Sequence, residues 1–191
     1  MMKKKIVNKL SKREKVINYV IVVVLMFIAY LFYDYVSTMN KESKSLLTKE
    51  PVSAEFTVIG SWRTKLSGNI FEYSVSGKSL KFHNRNEVTY FRGECFHGIY
   101  AKSKPEYVKI DLTSPILNGK DNFEEMSGKV KKVNKNSNPN SVRYTYRFLG
   151  KGFERTVYVK DAKIYEVDKY YRILVYRKKP SVSYLKDQVV M

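Results

Sequence analysis

Cys95, Phe96 and His97 are where a nucleophile and a base stand closest in this sequence. On a strand, residues two apart share a face. Their tips then lie roughly 6–7 Å apart, from a rise of about 3.3 Å per residue, which exceeds a hydrogen bond. The expectation is structural: Cys95 a small buried residue and His97 a half-exposed one. With one cysteine there is no internal disulfide. His83, His97 and Cys95 exhaust the soft metal ligands, too few for a metal site without further donors. Gly60, Gly68 and Gly77 are too widely spaced for a phosphate loop. Glu124-Glu125 reads as a solvated acidic pair. Neither a catalytic set nor a cofactor is expected.

The second arrangement with chemical content is aromatic and cationic. Tyr144, Tyr146, Tyr170 and Tyr176 interleave with Arg143, Arg147, Arg172 and Arg177. Rings beside guanidinium groups can stack on sugars or anchor a protein partner, so these eight residues form the candidate binding surface. The competing reading is cross-strand pairing that stabilises a sheet. Alternation favours it, placing Tyr144, Tyr146 and Phe148 on one face and Arg143 and Arg147 on the other. The formal net charge of +18 favours anionic partners, although scattered cations also make an ordinary soluble surface.

What positions these groups begins with an apolar run from Val16 to Tyr33, bounded by Lys15 and Asp34. Eighteen residues rise about 27 Å as a helix, close to a hydrocarbon core of roughly 30 Å. We read residues 16–35 as an uncleaved transmembrane helix with aromatic residues at its exit. A signal peptide would have a shorter core and a small-residue cleavage site, which Val36-Ser37-Thr38 does not supply. Residues 1–15 carry seven cations against Glu14. This basic tail predicts a cytoplasmic N-terminus, with the C-terminal region periplasmic or extracellular and the helix in the inner (plasma) membrane. That address argues against a nucleic-acid partner.

Residues 36–54 read as a flexible tether. From Glu55 the pattern is β. Gly60 suggests a bulge, Ser67-Gly68-Asn69 a turn and Ser76-Gly77 a hairpin between alternating runs. Short runs at Val88–Phe91 and Cys95–Tyr100, then Val108–Leu112, complete a first unit at 55–112. Residues 113–127 read as a connection, with a short helical turn from Asn122 to Met126. A second unit spans 128–186, with a hairpin at Gly150. Val58 and Val130, Gly77 and Gly150, Tyr100 and Tyr176, and Pro105 and Pro180 recur at offsets of 72 to 76. Near-constant offset predicts an internal repeat. The predicted fold class is mainly β: one N-terminal transmembrane helix, then two tandem five-stranded units, barrel- or sandwich-like.

Tyr73-Ser74-Val75-Ser76-Gly77-Lys78 and Tyr144 to Lys151 are similar to the hairpin of the DUF3592-like bacterial membrane-associated β domains. Val167 to Tyr176 resembles a later strand of that pattern, with Asp168 where the pattern has Gly. The resemblance implies a small membrane-associated β domain and carries no catalytic residues. The functional expectation is a non-catalytic extracytoplasmic module for protein interaction or envelope structure. The alternative is a basic aromatic surface for an anionic envelope polymer or lipid headgroup. The partner is expected to be an envelope protein, alongside the membrane itself through residues 16–35.

Overall fold

A computed structural model describes residues 12–63, 67–86, 88–119 and 122–189. The predicted basic tail lies largely outside the described residues. The protein is mainly β, with one long N-terminal helix and two tandem five-stranded antiparallel sheets. The chain divides between residues 45 and 46 into two compact units.

Helix α1 spans Lys12–Lys49 and is long and apolar enough to cross a membrane. Every large apolar side chain from Val16 to Tyr33 is exposed. A soluble core helix would bury such a face. The predicted tether is not flexible coil: residues 36–49 continue the helix, and β1 begins at Pro51. Once a helix is nucleated, each added residue contributes one hydrogen bond, and Glu42, Lys44, Leu46 and Leu47 are good helix formers. Glu50 N donates to Leu46 O to close the last turn. Pro51 then stops it, because proline disfavours helical backbone at the residue before it.

The β body begins with β1 (Pro51–Arg63), β2 (Ser67–Val75), β3 (Lys78–Arg85), β4 (Cys95–Ala101) and β5 (Val108–Ile116). They form one sheet in the order β3-β2-β1-β4-β5. The second sheet holds β6 (Phe123–Asn134), β7 (Asn140–Phe148), β8 (Lys151–Val159), β9 (Tyr170–Tyr176) and β10 (Ser183–Leu185). Its order, β10-β9-β6-β7-β8, places each strand as the first sheet does. The strands begin and end beyond the predicted limits. Residues 113–116 extend β5, and Phe123–Met126 belong to β6 rather than to a helical turn. Ser67–Asn69 lie in β2 and not in a turn. Val88–Phe91 is a connector without strand pairing.

Local geometry repeats as well. The bulge expected at Gly60 lies between Val58 and Gly60, and its counterpart lies between Val130 and Lys132. Val58 is bonded to Gly93 and Glu94, and Val130 likewise to Asp168 and Lys169. Both hairpins turn through two positive-φ residues, Ser76-Gly77 and Leu149-Gly150, the type I′ geometry that suits twisted strands. Tyr73 OH donates to Pro105 O at 2.7 Å, and Tyr146 OH donates to Pro180 O. Asp168 has φ 66°, as Gly93 has φ 94°. Aspartate tolerates the left-handed region better than most side chains, so it can stand in for glycine there.

The first core is aromatic: Phe56, Phe71, Tyr73, Tyr90 and Phe96 pack with Val58, Val88 and Leu112. Tyr158 of the second sheet joins this cluster. The second core gathers Val130, Val142, Tyr144, Tyr146, Ile173 and Leu185, among others.

Candidate anion-binding cleft

The predicted aromatic and cationic surface divides between inside and outside. Tyr144 is wholly buried and Tyr146 is 5% exposed; they are core residues and cannot meet a partner. Tyr144 OH lies 2.9 Å from Ser183 Oγ. Tyr176 is half-buried, its ring 5.2 Å from that of Phe123. Arg143, Arg147, Arg172 and Arg177 are exposed, with Tyr170. Three of these cations have carboxylate partners: Arg143 with Glu154, Arg172 with Glu125 and Arg177 with Glu124. Glu124 and Glu125 are therefore not simply solvated. The period-two pattern decides this, because a strand packed on one side sends alternate residues to opposite faces.

Cys95 is 1% exposed, with its Sγ 3.6 Å from Thr57 Oγ1. Burial pushes its thiol up, against the hydrogen bond from Thr57, and a protonated thiol is a poor nucleophile. His97 is exposed. Among the described residues no three His, Cys, Asp or Glu side chains group closely enough to hold a metal ion.

The seam between the two sheets holds a feature the sequence reading missed. Glu94 and Arg155 form an ion pair at 2.5 Å, with side chains only 2% and 3% exposed. Tyr184 OH donates to the same Glu94 oxygen at 2.6 Å, and Phe91 N donates to the other. The guanidinium lies over the rings of Phe91 and Tyr90, 5.0 and 5.6 Å from their centroids. Burial disfavours the charged Arg155, yet Glu94 together with Tyr184 and Tyr144 raises its pKa above the ordinary value. Arg155 occupies the inward row Phe153-x-Arg155-x-Val157-x-Val159 of β8. A cation at an apolar position of a period-two pattern is the signal that could have found it.

Beside this seam lies an open cleft of 950 Å³. One side comes from the end of β3 and from β4 and β5, through Asn84, Arg85, His97, Lys109 and Asp111. The other comes from the Ser137–Pro139 loop and from Tyr158 and Lys160. Arg85, Lys109 and Lys160 are exposed cations. Asp111 is held by its own neighbours: it accepts from Thr113 N at 3.0 Å and from Thr113 Oγ1 at 2.5 Å. Burial pushes its carboxyl up, but the hydrogen bonds from Thr113 and Ser114, with Lys160, leave it lowered. It stays ionised and pairs with Lys160 at 3.8 Å, so Arg85 and Lys109 give the cleft its excess of positive charge.

Asn86 and the connector Val88–Phe91 are fixed from below. Asn69, fully buried, donates to Asn86 Oδ1 at 2.7 Å and to Val88 O at 2.9 Å, and it accepts from Tyr90 N at 2.9 Å. Among the described residues, two buried side-chain nitrogens lack a partner: Asn86 Nδ2 and Arg155 Nε. Both are donors, and both belong to residues that line clefts at the seam.

No protein-family model, no curated protein and no solved structure matches this chain.

Proposed function

We propose that this is a single-pass inner (plasma) membrane protein presenting a non-catalytic β module outside the cytoplasm. Its cationic cleft takes an anionic, hydroxyl-bearing polymer of the cell envelope. The membrane reading rests on the exposed apolar length of α1, and the orientation on the cations preceding it. A reporter enzyme active only outside the cytoplasm, fused after Met191, is expected to be active. An inactive fusion that is nonetheless full-length and stable would reverse the topology.

The observation that carries the ligand reading is the composition of the 950 Å³ cleft. Three exposed cations line it against one acid, Asp111, which pairs with Lys160, and side-chain amides complete its wall. Amides suit hydroxylated rings, and the cations suit their anionic substituents. A protein-interaction surface is less well supported, since two of the four rings expected to anchor a partner, Tyr144 and Tyr146, are core residues. The outer edge of β3 carries Lys78, Lys81 and Arg85, charges that discourage strand addition. Matched strand order, bulges, turns and Tyr–Pro bonds support an internal duplication. Reconstructed ancestral sequences should bring the halves closer together, and halves that diverge going back would oppose it.

The test uses the full chain in nanodiscs of zwitterionic lipid, with dextran sulfate as probe and uncharged dextran as control. Dextran sulfate is expected to bind, and binding should weaken as salt shortens the range of charge interactions. Lys109→Gln with Lys160→Gln should weaken it roughly tenfold, two exposed cations each contributing up to about 1 kcal/mol. Binding indifferent to salt and to these substitutions would remove the cleft from consideration.

A further inference from the structure

A second cleft, of 410 Å³, lies on the same seam. Thr89, Lys132, Ser141, Arg143, Glu154 and Arg155 contribute to its lining. Glu154 is paired with Arg143 at 3.6 Å and Glu94 with Arg155 at 2.5 Å, so Lys132 provides the cationic character beyond those pairs. Arg155 is 4% exposed. Its Nη2 is taken by Glu94, while its buried Nε has no acceptor. A guanidinium presents its N–H groups as a fork suited to oxyanions. A donor left unsatisfied in a buried site is unfavourable unless something supplies the acceptor.

The two clefts share their construction. The connector that gives Asn86 to the larger gives Thr89 to the smaller. On β8 and just beyond it, Glu154 and Thr156 line the smaller, while Tyr158 and Lys160 line the larger. These four residues are spaced by two, and residues two apart share a strand face. The clefts therefore follow one another along one face of β8. Resting on the reading above, we infer that they are successive subsites of a single polymer path. The smaller seats one oxyanion substituent, sulfate, phosphate or carboxylate, against Lys132 and Arg143, beside the buried Arg155. The larger takes the neighbouring units of the same chain.

The experiment again uses the full chain in zwitterionic nanodiscs. Affinity for dextran sulfate is measured for the unaltered chain and for Lys132→Gln/Arg143→Gln, whose side chains are exposed. Nitrogen-15 spectra follow the arginine Nε–H signals, with Arg155 assigned by selective loss in Arg155→Lys. Should that variant fail to fold, proximity to the Phe91 and Tyr90 rings assigns the signal. The expected result is a shift of the Arg155 signal on adding dextran sulfate, and a loss of affinity of about fivefold in the double variant. An unchanged affinity in that variant with an unmoved Arg155 signal overturns the inference. If Lys109→Gln/Lys160→Gln still weakens binding, the larger cleft stands without it; if neither variant does, both readings fall. Inorganic sulfate binding as tightly as the polymer would make this an isolated ion site and overturn the shared path. An Arg155 shift seen only with anionic-lipid nanodiscs would assign the site to a headgroup, and would overturn the polymer.

Discussion

Arg155→Leu is expected to destabilise the β body by about 3–5 kcal/mol, because it strands Glu94 as an unpaired buried charge. Glu94 is 4% exposed as a residue, and its remaining contacts are Tyr184 OH and Phe91 N. Two hydrogen bonds do not replace a guanidinium 2.5 Å away. Domains of this size are stable by only about 5–15 kcal/mol, so the loss is a large fraction. Urea unfolding of the full chain in micelles, followed by near-ultraviolet circular dichroism, measures it. The double variant Glu94→Gln/Arg155→Met should recover much of the loss, since removing both charges removes the desolvation cost. Arg172→Gln, which breaks an exposed pair with Glu125, should cost about 1 kcal/mol or less. A single-variant loss as small as this surface control would show that Glu94 does not depend on its partner.

Phe56→Ala should follow closely, at about 3–5 kcal/mol, from lost apolar burial and the cavity left behind. The ring is wholly buried and lies 4.7 Å from that of Tyr73. It fits because position 98 has no side chain. A Cβ on Gly98 would stand 2.6 Å from Phe56 Cε2 and 2.8 Å from Lys109 O. Gly98→Ala in the unaltered chain is thus expected to cost about 1–3 kcal/mol through overpacking. Gly60→Ala meets only Ile70 Cδ1 at 3.7 Å and should be nearly neutral. The second sheet solves the same problem the other way round. There Gly128 lies on the central strand, and a Cβ would meet Ile173 at 3.0 Å and Tyr144 at 3.1 Å. Phe56→Ala behaving like Gly60→Ala in the same denaturation experiment would mean that the first core can collapse around the gap.

These contacts also show which parts of the fold could be read in advance. The apolar span was legible because it depends on length and hydrophobicity alone. The two hairpins were legible because type I′ turns require residues such as Gly77 and Gly150 at positive φ. The alternation of β7 correctly separated Tyr144 and Tyr146 from Arg143 and Arg147. What escaped was set by long-range pairing. Phe123–Met126 has the local look of a turn, yet it pairs residue for residue with β9. Pro115, within the stretch read as a connection, sits in edge strand β5, where proline is tolerated. The helical stretch after residue 36 escaped because its polar composition resembles a linker. Glu94 and Arg155 lie 61 residues apart; no local pattern connects them, although Arg155 alone breaks the apolar rhythm of β8. The larger cleft gathers strand and loop residues from both halves, and only the folded chain brings those together.

Tyr158, carried by the later half of the chain, fills the interior of the earlier half. Together with the charge neutralisation of Glu94 across the seam, this makes the halves mutually dependent for completion. A truncated product ending near residue 120 would expose an aromatic hollow and an orphan carboxylate. Neither half is therefore expected to stay folded when deleted, transplanted or multiplied without the other.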